Sequence, residues 1–182
     1  SILRDGAPTL GQTVSVDING DGILDRIFNQ AISGTAITGS NTGTRISLGL
    51  GDGTFGAAAL STSWYGNSDM FYGDVNGDGR ADLVMDFQRA GDKFYTRLGK
   101  ADGTFESTWA MAANNPAWGT AGQYSLKDIN GDGRSELVFA ANDGTYKAAF
   151  FNNNGAIGTT ISSILRDGAQ TLGQTVSVDI NG

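Results

Sequence analysis

The sequence predicts an all-β chain: a β-propeller of four-stranded antiparallel blades, three to each unit of 162 residues. Three observations carry that expectation. An acidic loop recurs, starting at Asp17, Asp74 and Asp128. Short alternating apolar runs flank each copy, with Gly/Asn/Asp clusters between them, as in a chain of strands and tight turns. Glycine is abundant at 28 residues and proline scarce at 2, and the glycines fall in patterned positions, as in a turn-rich β-protein rather than a disordered linker.

Each unit reads the same way from its start. A short strand comes first, at Thr13 to Val16, Met70 to Tyr72 and Gln123 to Leu126. The acidic loop follows, then a β-rich run at Leu24 to Phe28, Leu83 to Phe87 and Leu137 to Ala140. The third run spans Arg45 to Leu50, Phe94 to Leu98 and Tyr146 to Phe151. A turn closes the hairpin at Gly51-Asp52-Gly53, Ala101-Asp102-Gly103 and Asn153-Asn154-Gly155, residue types that tolerate positive φ. A fourth, outer strand completes a meander of the size of a propeller blade. The whole of 1–182 reads as one repeat region, with blade units at about 13–69, 70–122 and 123–174. The first unit carries a Gly/Ser/Thr-rich insertion near Ala31 to Thr44.

A longer period lies above this one. Residues 163–182 repeat residues 1–20 at 19 of 20 positions, differing only at Pro8 and Gln170. Three blades do not readily close a ring, since propellers use about four to eight. The expectation is therefore six or seven blades, completed by more chain or by a second copy of this one.

The recurring loop has the chemistry of a calcium site. Calcium takes six to eight oxygen ligands. The first loop offers side-chain oxygens from Asp17, Asn19 and Asp21, the carbonyl of Ile23, and Asp25. The second offers Asp74, Asn76, Asp78, the carbonyl of Arg80, and Asp82. The third offers Asp128, Asn130, Asp132, the carbonyl of Arg134, and Glu136. A fourth begins at Asp179 and Asn181 and stops mid-loop. An EF-hand is excluded, because its twelfth position needs a bidentate Glu and these loops place Phe28, Met85 and Phe139 there. A single Asn-Gly-Asp-Gly reads equally well as a polar turn. Three copies with oxygen-bearing residues at positions 1, 3, 5 and 9 favour about one metal ion per blade. Three Ca²⁺ would bring the formal charge from −7 to −1.

These units resemble the FG-GAP/VCBS repeats of integrin α-subunit propellers and of related bacterial and fungal propeller proteins, some of them lectins. The signature is Asp74-Val-Asn-Gly-Asp-Gly-Arg-Ala-Asp82-Leu-Val, followed by Leu98 and Asp102-Gly-Thr-Phe105. The resemblance implies a calcium loop between the first and second strands of each blade and a place outside the cell or at its surface. It also implies a role in adhesion, in glycan recognition or as a non-catalytic module of a secreted enzyme. Glu136 departs from the usual final Asp.

Other classes lose ground on composition. A net charge of −7 disfavours nucleic acid and anionic membrane surfaces. No apolar run is long enough to span a bilayer. Histidine and cysteine are absent, which removes the usual catalytic bases and nucleophile pairs and points away from an enzyme. Trp64 and Trp118 each stand ten residues before the first Asp of a loop. With Tyr65 and Asn67 they are candidate glycan contacts, although a Trp at a repeated position is more often inter-blade packing. The expected partner is a glycan or an extracellular protein. The alternative is a structural unit of a long surface adhesin or fibre.

Overall fold

A computed structural model describes residues 13–31, 42–64, 68–87, 93–111, 118 and 122–163. Among them every regular element is a strand, and twelve strands form three antiparallel sheets of four. Sheet 1 runs β1 (Thr13–Val16), β2 (Asp25–Ala31), β3 (Thr42–Ser47) and β4 (Ala59–Trp64). Sheet 2 holds β5 (Ser68–Gly73), β6 (Asp82–Phe87), β7 (Lys93–Arg97) and β8 (Ala110–Met111). Sheet 3 holds β9 (Gly122–Lys127), β10 (Glu136–Ala141), β11 (Tyr146–Phe151) and β12 (Ile157–Ser163). In each sheet neighbours in sequence are neighbours in space, so all three are simple meanders.

The hairpin of β2 and β3 in sheet 1 is longer than its sequence suggests. Ala31 pairs with Thr42 and Gln30 with Gly43, so both strands extend into the stretch expected to be an insertion. The β-branched Thr44 suits a pleated surface, in keeping with the extension. The Asp-Gly turns form as expected. Asp52 accepts the Thr54 amide at 2.9 Å, and Asp102 accepts the Thr104 amide at 2.9 Å. The hydroxyls of Thr54 and Thr104, and after them these amides, hold both carboxyls below the usual range.

Alternation along the middle sheet decides how the sheets stack. In β6, Leu83 and Met85 point to one side and Val84 to the other, and all three are buried. Leu83 and Met85, with Met70 and Phe105, pack against Ile18, Ile27 and Ile46 of sheet 1. Val84, with Phe71, Val75 and Phe94, packs against Leu137, Ala149, Phe151 and Ile157 of sheet 3. Sheet 2 is thus apolar on both faces and lies between the other two. Each fully buried Leu, Ile or Phe here stabilises the stack by about 1.5–3 kcal/mol. Trp109 packs on the first of these cores, edge-on to Tyr95 and 4.1 Å beneath the Arg97 guanidinium.

Candidate functional site

The three acidic loops join the first and second strands of their sheets and share one geometry. In the first, Asp17 Oδ1 accepts the amides of Gly20 at 2.7 Å and Asp21 at 3.2 Å, and its Oδ2 accepts that of Gly22 at 2.7 Å. Asn19 Oδ1 accepts the Asp21 amide at 3.1 Å, and Asp21 Oδ1 accepts the Ile23 amide at 2.8 Å. Gly20 and Gly22 sit at φ of 80° and 82°, a conformation costly for other residues, and this curls the loop around the leading carboxylate. The loops at 74 and 128 repeat the pattern. Gly77 and Gly79 donate to Asp74, both at 2.7 Å, and Gly131 and Gly133 donate to Asp128 at 2.7 and 2.9 Å. The Gly133 bond is foremost in holding the Asp128 carboxyl below its ordinary range.

Asp25, Asp82 and Glu136, at the ninth position, are buried and do something the sequence reading missed. Asp25 accepts the Ile18 amide at 2.9 Å and the Gly49 amide at 2.8 Å. Asp82 accepts the Val75 amide at 2.9 Å and the Gly99 amide at 2.7 Å. Each therefore ties its loop to the end of the third strand. Glu136 accepts the Ile129 amide at 2.9 Å. Burial pushes the Asp82 carboxyl up to about 6 against these two bonds, and the charges of Asp78 and Asp74 add to the rise. Burial likewise raises Glu136. The approach is close at both glycines: an added Cβ would lie 2.5 Å from the Leu24 carbonyl oxygen at Gly49 and 2.4 Å from that of Ala81 at Gly99.

The donor set is all oxygen, which suits a hard cation. A carboxylate oxygen that accepts one amide keeps a further acceptor position, so Asp17, Asp21 and Asp25 remain able to bind an ion. No Lys or Arg lies within ion-pair distance of these three among the described residues. Among the same residues, no three carboxylates gather into a group that could hold a metal ion by themselves. An ion held here would need asparagine and backbone carbonyl oxygens beside the carboxylates. The second loop differs in one respect. The Arg80 guanidinium pairs with Asp78 and also donates to the Gly99 carbonyl at 3.2 Å. Arg134 instead donates to Asn153 at 2.9 Å.

The loops also touch one another. The Ala81 amide donates to the Asp17 carbonyl at 3.1 Å, and the Ser135 amide to the Asp74 carbonyl at 2.6 Å. The first loop is thereby bonded through the backbone to the second, and the second to the third.

The tryptophans fall differently. Trp64 ends β4 opposite Thr42. Trp118 is partly buried, lies parallel to Tyr124 with ring centroids 6.3 Å apart, and meets Phe139 at 6.1 Å. Tyr65, Asn67, Asp179 and Asn181 lie outside the described residues.

No family model and no curated protein matches the chain. Among solved structures it is similar to a lectin of Agrocybe aegerita, described as specifically recognising non-reducing terminal N-acetylglucosamine. The TM-score is 0.60 at 22% identity, covering 85% of this chain and 38% of the lectin chain. The likeness is one of fold, and this chain spans well under half the length of that structure.

Proposed function

We propose that this chain is a calcium-binding propeller module of the FG-GAP/VCBS type that recognises glycans outside the cell or at its surface. The observation that carries the reading is the threefold recurrence of one loop geometry, at the same place in three four-stranded meanders. In each loop the side-chain oxygens of positions 1, 3 and 5, the carbonyl of position 7 and the carboxylate of position 9 would hold the ion. The ion would neutralise carboxylates that crowd at short range and lock the loop against the third strand. Glycan recognition draws its support from the fold shared with a sugar-recognising lectin.

The role is one of binding and not of catalysis, in keeping with a chain that lacks His and Cys. Calorimetric titration of the chelated protein with Ca²⁺, followed by a glycan array with and without calcium, tests both halves. Absence of heat at millimolar calcium removes the metal reading, and an array without a bound sugar removes the lectin reading.

A second reading has its own observation. The repeat of residues 1–20 at 163–182 suits a structural unit in a tandem array on a surface protein. The mass of the native protein separates the two, because one three-sheet block per chain leaves no array.

A further inference from the structure

The three loops differ at their seventh residue, and the difference reaches the carboxylate of the fifth. That seventh residue is Ile23, Arg80 or Arg134. Ile23 lies over the end of its own third strand, where an added Cβ on Gly49 would meet its Cγ2 at 2.6 Å and one on Gly51 its Cδ1 at 3.3 Å. Arg80 folds back on its own loop. Its guanidinium donates to Asp78 Oδ2, and its Nε donates to the Gly99 carbonyl at 3.2 Å. Arg134 takes another course. It donates to Asn153 Oδ1 at 2.9 Å, and its Nε would lie 2.8 Å from a Cβ on Gly77 of the second loop.

The turn after the third strand accounts for the two courses. Leu50, Lys100 and Asn152 open that turn, and their amides donate to the carbonyls of Thr54, Thr104 and Ala156. The residue after each is therefore equivalent in the three sheets: Gly51, Ala101 and Asn153. Asn153 offers an amide oxygen that holds the Arg134 guanidinium away from Asp132. Ala101 has no side-chain acceptor, and the Arg80 guanidinium pairs with Asp78 instead.

A count of acceptor positions gives the consequence. A carboxylate has about four. Asp21 commits one to the Ile23 amide and one to the Asn19 side chain. Asp132 commits one to the Arg134 amide and one to the Asn130 side chain. Asp78 makes the same two commitments, to the Arg80 amide and the Asn76 side chain, and adds the Arg80 guanidinium. Among the described residues, Asp78 is thus the one fifth-position carboxylate that already carries a paired cation. A divalent ion entering the second loop must meet that positive charge or displace it.

We propose that Arg80 is a built-in counter-cation that weakens the second loop for divalent ions, and that the residue at 101 or 153 decides whether the arginine of its sheet falls on its own loop. The proposal rests on the calcium reading of the loops and adds a ranking among them. The first and third are the tight sites, and the second is the weak one. Ala101 and Asn153 are positioning residues here, since they act on the ion only through an arginine. Displacing an exposed ion pair while its charge stays nearby lowers affinity by about three- to tenfold.

Titration of the full chain with Ca²⁺, followed by nitrogen–proton NMR, reads the loops one by one. The amides of Gly22, Gly79 and Gly133 donate to the leading carboxylates and report their own loops. The second loop is expected to need about three to ten times more calcium for half-saturation than the first or third. Arg80→Met removes the charge and keeps the stem, whose Cγ would lie 3.0 Å from a Cβ on Gly20. It is expected to bring the second loop level with the others, and Arg80→Ile serves where it does not fold. Ala101→Asn is expected to strengthen the second loop alone, and Asn153→Ala to weaken the third alone. Both effects are expected to vanish when the arginine of that loop is already Met, because a general disturbance of the turn would act in either background. The proposal is overturned by three loops that saturate together, by a second loop that Arg80→Met leaves unmoved, or by turn variants that have no effect or act without the arginine. In each of these cases the calcium reading stands. Glycine amides unmoved in all three loops at millimolar calcium would remove the calcium reading, and this ranking with it.

Discussion

The Asp82 carboxylate accepts the amide of Gly99 at 2.7 Å across 17 residues of sequence. That bond makes the ninth loop residue a clamp between the loop and the third strand of its sheet. Asp25 and Gly49 form the same pair in sheet 1 at 2.8 Å. In sheet 3 the acid is one methylene longer, Glu136, and the glycine is replaced by Phe151, beside which β11 and β12 shift register. A short acid and a close-approaching glycine thus occur together, and the longer acid occurs with a bulky residue.

Gly99→Ala is expected to destabilise the fold by ~1–3 kcal/mol, because the new methyl would lie 2.4 Å from the Ala81 carbonyl oxygen. Gly79→Ala provides the contrast. It meets open space but must hold φ near 83°, at a cost of ~1–2 kcal/mol. Urea midpoints at fixed calcium measure both. A Gly99→Ala midpoint equal to that of the native protein would show that the approach is not tight.

Asp82→Ala leaves the amides of Val75 and Gly99 without their acceptor in a buried place. The expected loss is roughly 2–5 kcal/mol with or without metal, since each orphaned donor costs about 1–3 kcal/mol. Chemical denaturation in chelator isolates this structural part. A loss seen only in calcium would assign Asp82 to the ion alone.

Chelation is expected to lower the melting temperature. A site saturated at 100 times Kd adds about 2.7 kcal/mol to the folded state. Asp78→Ala is expected to remove the second site's share of that gain. Its exposed pairing with Arg80 contributes only ~0–1 kcal/mol. Differential scanning calorimetry of both proteins in calcium and in chelator gives the comparison, and identical melts in the two buffers would rule out metal binding.

In metal-free protein the Asp82 carboxyl is expected to titrate near 6 rather than at 3.8. Its folded value lies above its unfolded one, so its contribution to stability is complete below about pH 4 and is lost as pH rises through 6. The shift corresponds to about 3 kcal/mol. Carbon NMR of the side-chain carboxyl reads the midpoint directly, and calcium is expected to lower it. A midpoint near 4 without metal would contradict the burial argument.

Trp118→Ala is expected to cost ~2–4 kcal/mol, because the indole fills space against Tyr124 and Phe139. Thermal denaturation measures it. A variant of native stability that loses glycan binding would assign the indole to the ligand instead.

The order of strands was legible because the hydrophobic alternation and Asp-Gly turns act locally: Thr13 to Val16 and Tyr146 to Phe151 coincide with β1 and β11. The loops were legible for the same reason, their shape being set by glycines at fixed spacing. What escaped was long-range. Nothing in the spacing of Gly49 or Gly99 marks them, and only the folded sheet brings Asp25 and Asp82 to their amides. Trp118 is similar, since its aromatic neighbours Tyr124 and Phe139 lie on two different strands.

The bonds from Ala81 to Asp17 and from Ser135 to Asp74 run between peptide groups. Only a proline at 81 or 135, which lacks the amide hydrogen, would delete them. The three units differ widely in sequence, while their alignment is maintained by backbone atoms that every residue except proline possesses. A gene that grows by copying such a block starts each new copy with its connection to the last already encoded.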